Sequence, residues 1–343
     1  MRMDGGTAGR RDFLRRCATT AAVGAAGGGL AWWAYGRQRR PRPAGAVSLD
    51  DLAARFARPD LPGAPALVVA RDTAIADARG GPIDPAVIER MLARALEPLG
   101  TMARFVPRGG SVLVKPNAAF AADPLSGAIA DPRTIAAVVK SAFAAGAAEV
   151  LVADNPIAAP ALVFDRSGIA AAVRAAGGRI VVPDERGFAP VRVTGATVLP
   201  DWPAFIAVLA RVDAVIGIAP VKDHNLCGAS LTMKNWYGLL GGNRSQFHQH
   251  IHEVICDLWR LVRPAAPLLV LDGTRVLMRN GPTGGSAADV VVRNTLAVGT
   301  DPVAIDAFGV TLLGRDPRAV KYLVDAEAAG FGTLEFARRM REV

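Results

Sequence analysis

Near-continuous apolar runs of strand length, separated by stretches with helical spacing, limit the folds open to this chain more than any other feature. Residues 66–70, 111–115, 149–154, 179–183, 213–220, 267–272 and 295–299 are such runs. A strand with one wet face alternates apolar and polar side chains. These runs are apolar at successive positions, as in a sheet covered on both faces. Between them, residues 84–99 carry Val87, Ile88, Met91, Leu92 and Ala95 at helical spacing. Asp131-Pro132 and Asp301-Pro302 each place a proline in the favoured first turn of a helix. The first predicts a helix to about Ala144; after the second, helices are expected as far as about Arg341. Residues 169–176 read as helix, 191–199 as a further strand or hairpin arm, and 202–209 as a short helix. Strands alternating with helices in this way predict an α/β fold, a mainly parallel sheet flanked by helices. The glycine- and proline-rich breaks near 100–110 and 278–286 read as loops.

Charge narrows the function classes. The 343-residue chain is 51% hydrophobic, enough for one large domain or two smaller ones with real cores. Its net charge of +9 invites a nucleic-acid reading, but nine of the 40 Lys and Arg, against two of the 31 Asp and Glu, fall in residues 1–46. The remainder is left with +2, so a basic footprint for phosphate backbones is missing and no nucleic-acid partner is expected.

The N-terminus has its own logic. Arg10-Arg11-Asp12-Phe13-Leu14-Arg15 has the form of a twin-arginine export signal, and a weakly hydrophobic stretch rich in Ala and Gly follows over residues 17–35. Residues 1–46 therefore read as a signal peptide or N-terminal anchor plus linker, and 47–343 as an α/β body. The partner implied is the twin-arginine translocase, and the location the periplasm or the outer face of the cytoplasmic membrane. Ala44-Gly45-Ala46 has the small-x-small form of a cleavage site, while the apolar stretch approaches the ~20 residues that span a bilayer. Cleavage and retention as a membrane anchor both stand. This route carries folded proteins, often because a cofactor is loaded first.

Reactive side chains concentrate between Pro220 and Asp257. All four histidines lie there, with two of the three cysteines, Lys222, Lys234 and Arg244. Cys227 and Cys256 are too few for a disulfide scaffold; they can pair, stay as buried thiols or bind a metal. His224-x-x-Cys227 sets two ligand-capable groups a turn apart, and His248 and His252 share a face if the helix over 251–262 begins early. If 248–252 is extended instead, His248, His250 and His252 point one way. Such His and Cys ligands suit a transition metal such as zinc, iron or nickel. A metal-free role in binding or catalysis and a purely structural role stay open beside it.

Residues 228–240 read as a helix with Ala229, Met233, Trp236 and Leu240 inward and Ser230 and Lys234 on a flanking face. Lys115, Lys222, Lys234 and Arg244 can form a cationic pocket for a carboxylate or phosphate, with Asn117 and Asn235 supplying amides. Lys115-Pro116-Asn117, Asp154-Asn155, Lys222-Asp223-His224 and Asp272-Gly273-Thr274 all fall at predicted strand ends, where open α/β sheets bind ligands. Each alone is also ordinary turn chemistry. No GxGxxG or Walker loop is present, and the Gly281-Pro-Thr-Gly-Gly stretch is too short to argue for a nucleotide.

The segments at 112–117, 150–154, Lys222-x-His224, Met233-Lys234-Asn235-x-x-Gly238, 271–273 and 299–307 also carry a resemblance. In order and spacing they resemble the family catalogued as domain of unknown function 362, over about residues 66–314. Many members carry clustered cysteines for iron–sulfur clusters, which implies redox chemistry and a redox partner. This chain departs from them: it has no Cys-x-x-Cys-x-x-Cys run, so a complete ferredoxin-type cysteine set is missing. The combined expectation is an exported protein that binds a small-molecule anion with metal- or redox-linked chemistry. In that reading His224, Lys222 and Lys234 are catalytic; Lys115, Asn117, Asp154, Asn235, Arg244 and Asp272 hold the ligand; His224, Cys227, His248 and His252 hold a metal. A non-catalytic periplasmic ligand-binding protein is the alternative.

Overall fold

The computed structural model describes residues 47–48, 53–56, 62–72, 83–199, 201–284 and 286–343, so the export signal expected within 1–46 lies outside the described residues. In chain order the strands are Val47–Ser48 (β1), Leu67–Arg71 (β2), Ser111–Pro116 (β3), Glu149–Val152 (β4), Arg179–Ile180 (β5), Ala189–Arg192 (β6), Asp201–Ala204 (β7), Ala214–His224 (β8), Gly228–Ser230 (β9), Leu268–Leu277 (β10), Val290–Gly299 (β11) and Met340–Glu342 (β12). The α-helices are Pro85–Leu96 (α1), Pro132–Ala144 (α2), Pro160–Arg166 (α3), Ile169–Ala175 (α4), Ile206–Leu209 (α5), Thr232–Asn235 (α6), Ile251–Val262 (α7), Pro302–Leu312 (α8) and Lys321–Ala328 (α9).

The expected α/β architecture forms. The main sheet runs β12-β2-β11-β10-β8-β3-β4-β5, with β9 folded back on β8; β1, β6 and β7 make a small second sheet. Along the main sheet every pair is parallel except those that β11 makes with β2 and β10. Successive residues of the central strands enter opposite cores. Leu113, Leu151, Val215, Leu269 and Leu271 face one, packed under α7, α8 and α9. Val112, Val114, Val150, Val152, Ile216, Ile218 and Val270 face the other, under α1, α2 and α4. The continuous apolar runs follow from this: both faces of the sheet are dry.

Helix starts follow local chemistry. Asp84, Asp131 and Asp301 accept the backbone N–H of Ala86, Arg133 and Ala304, and each is followed by proline at the first helical position. Among the described residues no helix is long and apolar enough to cross a membrane.

Four local readings change. Residues 228–240 are not one helix but β9, α6 and a 3-10 turn Trp236–Leu239, because Gly228, Ala229 and Ser230 pair back on the end of β8. Residues 201–204 are strand rather than helix, paired antiparallel with β6, and α5 begins only at Ile206. The chain ends in β12, which adds to β2, rather than in helix. Beyond Arg192 the 191–199 segment leaves the sheet, and its amides turn to a buried carboxylate.

That carboxylate is Asp257 of α7. Its Oδ2 accepts the N–H of Val198 at 2.7 Å and of Leu199 at 3.0 Å, and the Thr197 N–H lies 3.0 Å from both oxygens. Replacing Asp257 with Ala strands three donors and is expected to cost about 2–4 kcal/mol in urea unfolding. A loss within about 0.5 kcal/mol, the range of ordinary surface substitutions, would mean the loop does not depend on it.

Candidate functional site

The winding of the sheet reverses between two neighbouring strands. From β3 the chain passes through α2 to β4 and on toward β5; from β8 it passes through α6 and α7 to β10, on the opposite side. Open α/β sheets bind ligands outside the carboxyl ends of the strands at such a reversal. Lys115 and Asn117 stand at the end of β3, Asp154 just beyond β4, and Lys222 and His224 at the end of β8. Lys234 and Asn235 come in from α6.

Only five of the 40 Lys and Arg in the chain are lysines, at positions 115, 140, 222, 234 and 321. Three of them meet here, close enough that the charges of Lys115 and Lys234 both act on Lys222. Lys115 is fully buried, and its ammonium is saturated. It donates to Asp154 Oδ1 at 2.7 Å, to Asn235 Oδ1 at 2.9 Å and to the Pro116 carbonyl at 2.8 Å. Asn235 in turn donates to the carbonyls of Lys115 and Ile218, and Asp154 Oδ2 accepts from the Ala118 N–H at 2.7 Å. Arg244 gives its guanidinium to the carbonyls of Tyr237, Leu240 and Asn155. Of the residues expected to hold a ligand, Lys115, Asp154, Asn235 and Arg244 are thus committed to one another and to the backbone.

Lys222, Lys234, His224 and His248 are less committed. Lys222 donates to Asn117 Oδ1 at 3.1 Å and to the Ala128 carbonyl at 2.6 Å, with Nζ 5.3 Å from the Phe120 ring centroid. Burial, and then the charge of Lys234, push its pKa down to about 7. Lys234 keeps part of its surface exposed; its Nζ lies 4.8 Å from the Tyr237 ring centroid, and among the described residues it has no hydrogen-bond acceptor and no carboxylate partner. Burial also lowers the pKa of Lys234; Cys227 opposes that and Arg244 adds to it. The His224 Nδ1 accepts the Leu226 N–H at 3.2 Å, so the ring carries its proton on Nε2. Burial, with Lys234, Lys222 and His248 behind it, holds His224 down at about 3 and therefore neutral. His248 stacks on Tyr237 at 5.8 Å between centroids.

Other expected members are placed differently, although Cys227 stays close enough to act on Lys222 and Lys234. His252 stacks on Tyr322 of α9, and the charges that act on it are Lys321, Glu253 and Asp325. A 3-10 run from Arg244 to His250 precedes α7, so His248 and His252 do not share one α-helical face. Cys227 donates its thiol to the Ala229 carbonyl at 3.2 Å, and burial pushes it up to about 11; Cys256 is pushed up to about 12. Among the described residues no group of three or more His, Cys, Asp or Glu is gathered as a metal site. Asp272 also joins a different neighbourhood. It accepts from the Thr134 and Thr274 hydroxyls, each at 2.5 Å, and the charge of Asp131 acts on it. On that side Arg275 and Asp123 help to line a separate cavity of about 640 Å³.

Three contributors carried no role in the sequence reading. Tyr237 supplies the ring under Lys234 and beside His248. Asp306, buried in α8, accepts the N–H groups of Thr232 and Met233 and so fixes the start of α6; a carboxylate inside an otherwise apolar helix was the available signal. Gly238 has no side chain because none fits: a Cβ there would collide with Asp154 Oδ1 and lie 2.7 Å from Lys115 Nζ.

Fold and site together define an open, doubly wound α/β protein with three lysines clustered where its winding reverses. The chain belongs to the domain of unknown function family DUF362, whose model matches residues 112–311, a span from β3 to α8 that holds all these crevice residues. It is also 26% identical, over 256 residues, to a thylakoid-associated protein of Synechocystis sp. (strain ATCC 27184 / PCC 6803 / Kazusa); the match covers 70% of this chain and 74% of that protein.

Gly238→Ala forces Asp154 and Lys115 apart and leaves a buried charge without its partner. The expected loss is about 3–5 kcal/mol, the scale for breaking a buried pair. Chemical denaturation of the variant checks it, and near-wild-type stability would mean that the pair does not need the close approach.

Proposed function

We propose that the crevice at the ends of β3 and β8 binds a small anion of the carboxylate or phosphate class and moves a proton on it. One observation carries this reading: of five lysines, Lys234 alone has neither an acceptor nor a carboxylate partner among the described residues, and its charge acts on Lys222 and His248. A charge left without a counter-ion in a partly dry cleft favours an anionic guest. Lys222 and Asn117 are the natural second contacts. Lys222, with a pKa near 7, is suited to carry a proton at neutral pH, and the neutral His224 to donate a hydrogen bond from Nε2. The lysine favours catalysis over a purely binding role.

Metal- or redox-linked chemistry draws less support. Cys227 is held as a thiol rather than a thiolate, and His252 belongs to the α9 neighbourhood. Export through the twin-arginine translocase to the periplasm is proposed on Arg10-Arg11 and the Ala- and Gly-rich stretch after them. Replacing both arginines with lysine is expected to leave the protein in the cytoplasmic fraction; unchanged export would end that reading.

Phosphate and citrate are expected to raise the melting temperature of the full chain, and Lys234→Ala to weaken the apparent affinity by about tenfold or more, one charge-assisted contact. Lys222 is charged below its pKa of about 7 and neutral above it, so affinity falls as pH rises through that value. Titrations at pH 6 and 8 read this directly. Equal affinity at both, or an undisturbed Lys234→Ala variant, would sink the proposal.

A further inference from the structure

We infer that Lys234 is a covalent nucleophile, whose Nζ condenses with the carbonyl carbon of a small oxo acid to form an imine. This rests on the anion-binding reading above and names its substrate class. Anion binding alone does not call for lysine. Arginine supplies 35 of the 40 Lys and Arg in this chain and binds carboxylates well, but a guanidinium neither loses its proton nor adds to a carbonyl.

The fates of the five lysines differ. Lys140 and Lys321 are exposed and paired with Glu89 and with Asp325 and Glu253. Lys115 spends three donors on Asp154, Asn235 and Pro116, and Lys222 spends two on Asn117 and Ala128. Lys234 spends none. Its helix is held in place: Asp306 grips the N–H groups of Thr232 and Met233, and Asn235 is locked to β3 and β8. Asp154 is turned to Lys115, while the charge of Arg244 acts on Lys234 and that of Lys234 on Lys222. An amine among cations, without a counter-ion and partly desolvated, is the arrangement that frees a lysine to act as a nucleophile.

The condensation balances without an oxidant or reductant. The amine lone pair forms the N–C bond as the carbonyl π pair moves to oxygen, which is protonated to give the carbinolamine. That hydroxyl takes a second proton and leaves as water, and nitrogen gives up its two protons to leave a neutral C=N. Lys222 is the group that hands over and takes back these protons, while the neutral His224 donates a hydrogen bond from Nε2. The carboxylate of the oxo acid lies in the positive field of Lys222 and Arg244, which is why a ketone or aldehyde without one is a poorer guest.

The full chain is incubated with pyruvate and borohydride, and modified lysines are located by peptide mass spectrometry. Lys234 is expected to be labelled ~10-fold or more above Lys140 and Lys321, whose amines are held by carboxylates in exposed ion pairs. Lactate, with the same charge and no carbonyl, is expected to stabilise the protein thermally and give no adduct. Lys234→Arg is expected to keep stabilisation by both acids and lose the adduct. Pyruvate that stabilises the protein but labels Lys234 no more than Lys140 or Lys321 overturns the imine and leaves anion binding intact. Failure of phosphate, citrate and lactate alike to stabilise it overturns anion binding itself.

Discussion

The ion pair between Lys115 and Asp154 sits at the junction of everything else. It joins the end of β3 to the residue after β4, and through Asn235 it joins both to α6. Both charges are removed from water, a cost of several kcal/mol per ion that is offset only when remaining donors and acceptors are filled. Here they are: each of the three lysine N–H groups has an acceptor, and both carboxylate oxygens also take backbone N–H groups. Gly238 makes room for it. The pair therefore contributes position more than stability, setting α6, and Lys234 with it, at the reversal of the sheet.

That placement explains a division of labour among the polar residues of the crevice. Lys115, Asp154, Asn235 and Arg244 hold the frame, with their groups spent on one another and on carbonyls. Lys222, Lys234, His224 and His248 are the less committed set, the one the proposed ligand would use. The two groups perturb one another: Lys115 and Lys234 help to push Lys222 down toward neutrality, and Lys222 and Lys234 keep His224 uncharged. Crowding cations in a partly desolvated cleft is unfavourable by itself. The proposed anionic ligand would relieve it.

Much of the architecture was legible along the chain. The doubly dry strands, the Asp-Pro helix starts and the stripe of α7 all depend on nearest neighbours and short periods, which sequence carries directly. Residues 228–240 misled because helical spacing and a tight hairpin followed by one helical turn place Met233 and Trp236 inward in either case. Their hydrogen bonds were decided by β8 and by Asp306, neither of which is local. For the histidines, closeness in sequence left several arrangements open: the 3-10 run before α7 sends His252 toward α9 and leaves His248 on Tyr237.

By itself the sequence determined the fold class, the strand ends on which polar residues fall, and membership of the family, because these rest on residue type, order and spacing. Only the tertiary structure decided which lysine is free. Lys115, Lys222 and Lys234 are alike as letters; what separates them is whether a carboxylate or carbonyl from a distant segment reaches the ammonium. Saturation of a donor is a property of three-dimensional contact, so no local pattern could have assigned it.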